Sequence, residues 1–216
     1  MIMSKRISAL FVAAFTAVTV AFAAKPPEDP DPWVNYDEAI FMDMDLDANI
    51  ETPELQKSEK LPVRKYMRKL ADRLARQNYQ VELDRDDEVM VVVIPLDRIF
   101  QPNDTLLAPS FQTQFTPLLA YMKDPGMFKV VYSIHSDNTG SERYNYDLSQ
   151  KRVNSVYDWM LDKINEDLIV IPYALGDTDP VASNNTMDGR RTNRRMEIYF
   201  IPGPDMIVKA RSGKLK

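Results

Sequence analysis

Hydrophobic and polar positions follow two rhythms along this chain. Val89 to Pro95 and Val130 to Ile134 are short, continuous apolar runs, rich in β-branched residues and bounded by turn formers. Runs of that kind predict buried strands. Leu168 to Ala174 and Arg195 to Ile201 predict two more. Between them the spacing changes to three and four. Val63, Met67, Leu70 and Leu74 form one stripe, with Pro62 suited to a first helical position. Phe111, Phe115, Leu118, Leu119 and Met122 form a second, ended by Asp124-Pro125-Gly126. A third is made by Leu148, Val153, Val156, Tyr157, Met160, Leu161 and Ile164.

These elements predict an α+β two-layer sandwich, with a mixed four-stranded sheet (β-α-β-α-β-β) and an extra N-terminal helix. Val81 to Leu83 is a candidate to pair beside Val89 to Pro95, and Leu175 to Arg191 reads as a long polar loop. Pro202-Gly203-Pro204 reads as the end of the fold, at 204, leaving 205–216 as a loose basic tail.

Residues 1–23 read as a cleavable secretory signal. Lys5 and Arg6 precede the apolar stretch Ile7 to Ala21, and Ala21-Phe22-Ala23 supplies small residues for cleavage. An uncleaved anchor is the competing reading. Residues 24–60 form an acidic, Pro-rich linker or tail, with 11 acidic against 3 basic residues from Lys25 to Lys60. From Leu61 to Lys216 the balance is nearly even, 21 acidic against 22 basic. An acidic chain of net charge −5 is a poor partner for nucleic acid.

The chain has no cysteine and a single histidine, His135. Disulfides, thiolate chemistry and a multi-histidine metal site are thereby excluded, and no cofactor is expected. Asp43, Asp45, Asp47, Glu51 and Glu54 fall at positions 1, 3, 5, 9 and 12 of an EF-hand-like spacing. Ala48 stands where the loop needs glycine and Pro53 interrupts it, so a solvated acidic segment is the stronger reading than a calcium site at Asp43, Asp45, Asp47 and Glu54.

The polar connection from His135 to Asn145 joins a strand to a helix, the place where open α/β sheets carry their binding residues. Asp137 lies at the strand end and Arg152 in the first turns of the helix. An acid and a guanidinium so placed suit a ligand bearing both an amine and a carboxylate.

The residues Ser136-Asp137-Asn138-Thr139-Gly140, then Asn145 to Arg152, then Asn185 to Ile198, resemble in order and spacing the conserved blocks of the OmpA-like (OmpA C-terminal) family. The likeness covers roughly Val89 to Pro202, with Ser136 in place of the usual Thr and Ile134 in place of the usual Gly. The resemblance implies a non-enzymatic domain that binds peptidoglycan. Its ligand would be the diaminopimelate of the stem peptide, held by Asp137 and Arg152, with Thr139, Asn145 and Asn103 adding neutral hydrogen bonds and Arg194 a second cation. It also implies an exported protein of a diderm envelope, in the periplasm or at the outer membrane. An envelope protein that recognises the acidic segment is a second expected partner. A carboxylate-pair hydrolase acting on the same polymer is the enzymatic alternative, and a structural envelope scaffold with a calcium-binding acidic segment is the other.

Overall fold

The computed structural model describes residues 44–216. The expected signal sequence and the start of the acidic segment, Asp43 included, lie outside them. A single turn, α1 (Leu46–Asn49), leads into α2 (Lys57–Ala75). Strands β1 (Gln80–Asp84) and β2 (Val89–Pro95) are followed by a 3-10 turn at Leu96–Arg98, and then come α3 (Pro109–Leu119), β3 (Phe128–His135) and α4 (Glu142–Leu161). The chain continues through β4 (Val170–Gly176), α5 (Met187–Asn193), β5 (Arg195–Pro202) and α6 (Pro204–Arg211).

The sheet has five strands in the order β1-β2-β5-β3-β4. β5 runs antiparallel to both β2 and β3, so those two point the same way with β5 wedged between them. β3 and β4 are parallel, joined through α4. α+β is the fold class expected, with one strand more than the four predicted. The added strand is β1, an edge strand with only Val81 and Leu83 to bury, paired antiparallel with β2 from Gln80–Val93 to Asp84–Val89.

One face of the sheet carries the main core. Val63, Met67, Leu70 and Leu74 of α2 meet Met90, Val92, Ile94, Val130, Tyr132, Ile198 and Phe200, together with Phe111, Phe115 and Val156 of the other helices. Each such side chain contributes about 1.5–3 kcal/mol on leaving water. Trp159 packs edge-on against Phe111 and Phe115 at 4.9 and 5.7 Å. The other face carries Val89, Val91, Val131, Ile171, Tyr199 and Ile201, on which Ile50 sits.

Four expectations need correction. α2 begins at Lys57, so Pro62 is its sixth residue and forgoes one helical hydrogen bond there. The start is set instead by a capping box: Glu59 Oε2 accepts from the Gln56 backbone N–H at 2.8 Å. Residues 44–60 are not a free linker. Ile50 and Leu55 are buried, and the Tyr173 hydroxyl donates to the Met44 carbonyl at 2.7 Å. The tail after Pro204 is not loose. Pro204 takes the first position of α6, where a missing N–H costs nothing, and Met206, Ile207 and Ala210 are buried against α2. Arg211 Nε binds Glu59 Oε1 at 2.7 Å and links the two helices. Within the expected loop 175–191 lies the start of α5, capped by Thr186, whose hydroxyl accepts from Gly189 N–H at 3.0 Å.

The described acidic residues at the EF-hand-like positions, Asp45, Asp47, Glu51 and Glu54, form no group that could hold a metal ion. Asp45 caps α1 by accepting from Ala48 N–H at 2.8 Å, and Asp47 points to solvent 4.0 Å from Arg85. Among the described residues no group of three or more potential ligands could hold a metal ion. The basic face of α2 is answered by the β1–β2 turn, with Arg64 on Asp86 and Glu88 and Arg68 on Asp87. No helix among the described residues is long and apolar enough to cross a membrane.

Candidate functional site

Because β5 separates β2 from β3, the segments leaving those two strands part at their carboxyl ends, and β5 enters between them from the same side. A crevice at such a place is where an α/β sheet takes a ligand. Here it is an open cleft of about 650 Å³. Leu96 to Asn103 after β2, Ser136 to Gly140 after β3, the first turns of α4 and Arg194 before β5 line it. All six residues singled out in the sequence, Asn103, Asp137, Thr139, Asn145, Arg152 and Arg194, border this cleft.

Asp137 is buried. One carboxylate oxygen accepts the Thr139 N–H at 2.8 Å, and the other is paired with the Arg194 guanidinium. Burial alone would raise its pKa, but the hydrogen bonds from Thr139 and Arg194 outweigh it and hold the carboxyl below its ordinary value. A carboxylate offers about four lone-pair positions, more than these bonds occupy, and Asp137 lies in the lining of the cleft.

Arg152, 5 % exposed, does not meet Asp137. Its Nε donates to the Asp104 carbonyl at 2.9 Å, one Nη reaches the Gln101 carbonyl at 3.5 Å, and its guanidinium lies 5.0 Å from the Phe100 ring centroid. Burial lowers its pKa. Among the described residues no carboxylate lies within ion-pair distance of it. Three of its five N–H donors remain unassigned.

The loop that holds Arg152 is locked by local chemistry. Asp104 Oδ1 accepts from Thr105 N–H and Leu106 N–H at 2.7 and 3.0 Å, and Asn103 adopts a left-handed φ of 56°, which asparagine tolerates. Asn145 is buried and reaches the Gly140 carbonyl at 3.4 Å. A Cβ at Gly140 would lie 2.6 Å from the side chains of both Asn145 and Tyr144, so only glycine lets loop and helix meet so closely.

Arg194 is positioned from the far side by Asn193. That fully buried amide accepts from the Val181 and Ala182 N–H groups at 3.0 and 2.8 Å and donates to the Ala182 carbonyl at 2.9 Å. The neighbouring arginines are occupied elsewhere. Arg190 reaches the Asn184 carbonyl, Arg191 pairs with Asp97 at 3.0 Å, and Arg195 pairs with Glu197 and Asp179 at 2.6 and 3.1 Å.

Phe100, Asp97 and Tyr144 also line the cleft and were not singled out as ligand contacts. The signal for the supporting loop was the Asn103-Asp104-Thr105 turn chemistry. The contact of Arg152 with that loop spans 48 residues and had no local sign.

Residues 99–194 match the model of the OmpA family. YfiB of Escherichia coli (strain K12), a candidate lipoprotein by name, is 35% identical over 103 residues, 47% of this chain and 64% of YfiB. The peptidoglycan-binding protein ArfA of Mycobacterium tuberculosis (strain ATCC 25618 / H37Rv) is 39% identical over 70 residues, 32% of this chain and 22% of ArfA. The chain therefore spans less than two thirds of the length of these relatives. Among solved structures, the cell wall anchor of the T6SS from Pseudomonas aeruginosa superposes with a TM-score of 0.50 at 27% identity, over 65% of this chain and 96% of that one. A MotB-like protein from Desulfovibrio vulgaris gives 0.56 at 18% identity, over 67% and 95%, and shows a shared fold.

Proposed function

Residues 99–194 are an OmpA family domain, and from that premise we propose that the chain binds peptidoglycan non-covalently and ties it to the cell envelope, as an exported protein of the periplasm or outer membrane. The ligand group is the free end of diaminopimelate in the stem peptide, which presents an ammonium and a carboxylate on one carbon. The observation that carries the reading is that Asp137 and Arg152 border one open cleft without neutralising each other. Asp137 takes the ammonium at its open lone-pair positions. Arg152 takes the carboxylate as a two-pronged donor, which lysine cannot copy. Arg194 keeps Asp137 ionised and supplies a second cation beside it.

Each charge-assisted bond is worth about 1.5–3 kcal/mol net, so a single stem is held modestly. A tether made of many copies on one polymer gains its strength from multiplicity. Incubation of the purified protein with intact sacculi tests the reading. A binder co-sediments with undegraded wall. Release of soluble fragments would assign the cleft to hydrolysis, and protein left in the supernatant with intact wall would end the proposal.

A further inference from the structure

The end of the molecule remote from the cleft carries chemistry that wall binding does not use. α2 and the residues around α6 enclose two adjoining grooves, of about 520 and 350 Å³, that share Tyr66, Leu215 and Lys216 as walls. Lys65, Lys69, Lys209, Lys214 and Lys216 line them, against the single acid Asp124, which Lys209 engages at 3.3 Å. The other four lysines make no ion pair with any described residue. Leu61, 70 % exposed, stands at the rim of the larger groove.

This is a local departure from a chain whose net charge is −5. It is also selective in residue type. Arg64 and Arg68 of α2, which could grip carboxylates with a planar fork, are already taken by the β1–β2 turn. The cations that line the grooves are lysine alone: point charges on flexible stems, suited to a diffuse anionic field more than to bidentate recognition of one acidic side chain. An exposed leucine among unpaired lysines can enter a headgroup boundary while the lysine stems extend along it to the phosphates.

We propose that this end of the domain docks on an anionic phospholipid surface. The grooves adjoin Met127 and Phe128 at the amino end of β3, whereas Ser136 and Asp137 follow its carboxyl end. Eight residues of strand separate the two sites by roughly 23 Å at about 3.3 Å per residue. A domain seated on lipid at one end thus presents its wall cleft at the other.

The test is co-sedimentation of the full chain with vesicles of phosphatidylcholine alone or mixed with phosphatidylglycerol. The apolar stretch Ile7 to Ala24 can associate with lipid of either charge, so the readout is the increment that phosphatidylglycerol adds. At low salt that increment is expected to be at least about tenfold in partition, and to shrink as salt rises. Reversal of the four unpaired lysines (Lys65→Glu, Lys69→Glu, Lys214→Glu, Lys216→Glu) erases it while sacculus binding is retained. The milder set of four Lys→Gln changes loses most of it. No increment in the wild type, or one that survives charge reversal, overturns the proposal. Capture of soluble poly-glutamate without vesicle binding overturns it too and reassigns the face to an acidic polypeptide.

Discussion

Arg152→Ala is expected to weaken binding to diaminopimelate-bearing wall fragments by about 10- to 100-fold, the loss of one or two charge-assisted hydrogen bonds. The fold should survive the change. The carbonyls that Arg152 holds belong to Gln101 and Asp104, which are exposed and half-buried, so water can replace the guanidinium there. Arg152→Lys sharpens the expectation. It keeps the positive charge but loses the planar fork, and should recover only a small part of the affinity. Fluorescence titration with a purified muropeptide, alongside thermal melts, measures both. If Arg152→Lys binds like the wild type, a diffuse charge suffices and the two-pronged contact is wrong.

The second large effect lies on the opposite face of the sheet and concerns acid stability. Glu197 is half-buried on β5, paired with Arg195 at 2.6 Å, beside His135 at 3.5 Å, and bonded by the Tyr199 hydroxyl. Burial pushes its pKa up, yet hydrogen bonds from His135, Tyr199 and Arg195 prevail and bring it from 4.5 down to about 2. A carboxyl depressed in the folded state stabilises the protein above its unfolded pKa. That stability is therefore intact above about pH 4.5 and is lost as the pH falls through about 2. The depression corresponds to about 3 kcal/mol. Glu197→Gln should lower the unfolding free energy at neutral pH by a similar amount, since Arg195 is then left buried with Asp179 alone, and should flatten the loss between pH 4.5 and 2. Urea unfolding at a series of pH values measures this. An unchanged acid slope in the variant would show that other groups carry the transition.

Much of this architecture was legible because local and global signals agree. β2 is an unbroken apolar run and β3 is apolar apart from Lys129, Ser133 and His135, both strands being largely buried, and the stripe from Val153 to Met160 reads as a helix packed against them. What went unread had conflicting signals. α6 follows a Pro-Gly-Pro sequence that normally stops structure, and its buried residues Met206, Ile207 and Ala210 are too few to announce a helix. α5 is seven residues of mostly polar chain, held by a threonine cap and by Asn193 reaching back to Val181 and Ala182. Gly189 was visible as a loop glycine. Its role was not, since a Cβ there would fall 2.0 Å from the Ser183 carbonyl oxygen.

The cleft divides in the same way. Motif spacing brought Asp137, Thr139, Asn145 and Arg152 onto one strand-to-helix connection. The pairing of Asp137 with Arg194 crosses 57 residues and exists only because β5 inserts between β2 and β3, a fact of topology with no local trace. Arg152 is different. Its partners are backbone carbonyls, and those carry no side-chain signature at all.

The most direct measurement compares two otherwise identical muropeptides, one with diaminopimelate and one with lysine at the third stem position, titrated into the wild-type protein. Lysine lacks the second carboxylate, so Arg152 would face nothing, and diaminopimelate should bind at least about tenfold tighter. Equal affinity for the two would contradict the claim that Asp137 and Arg152 hold the ammonium and the carboxylate at the free end of one amino acid.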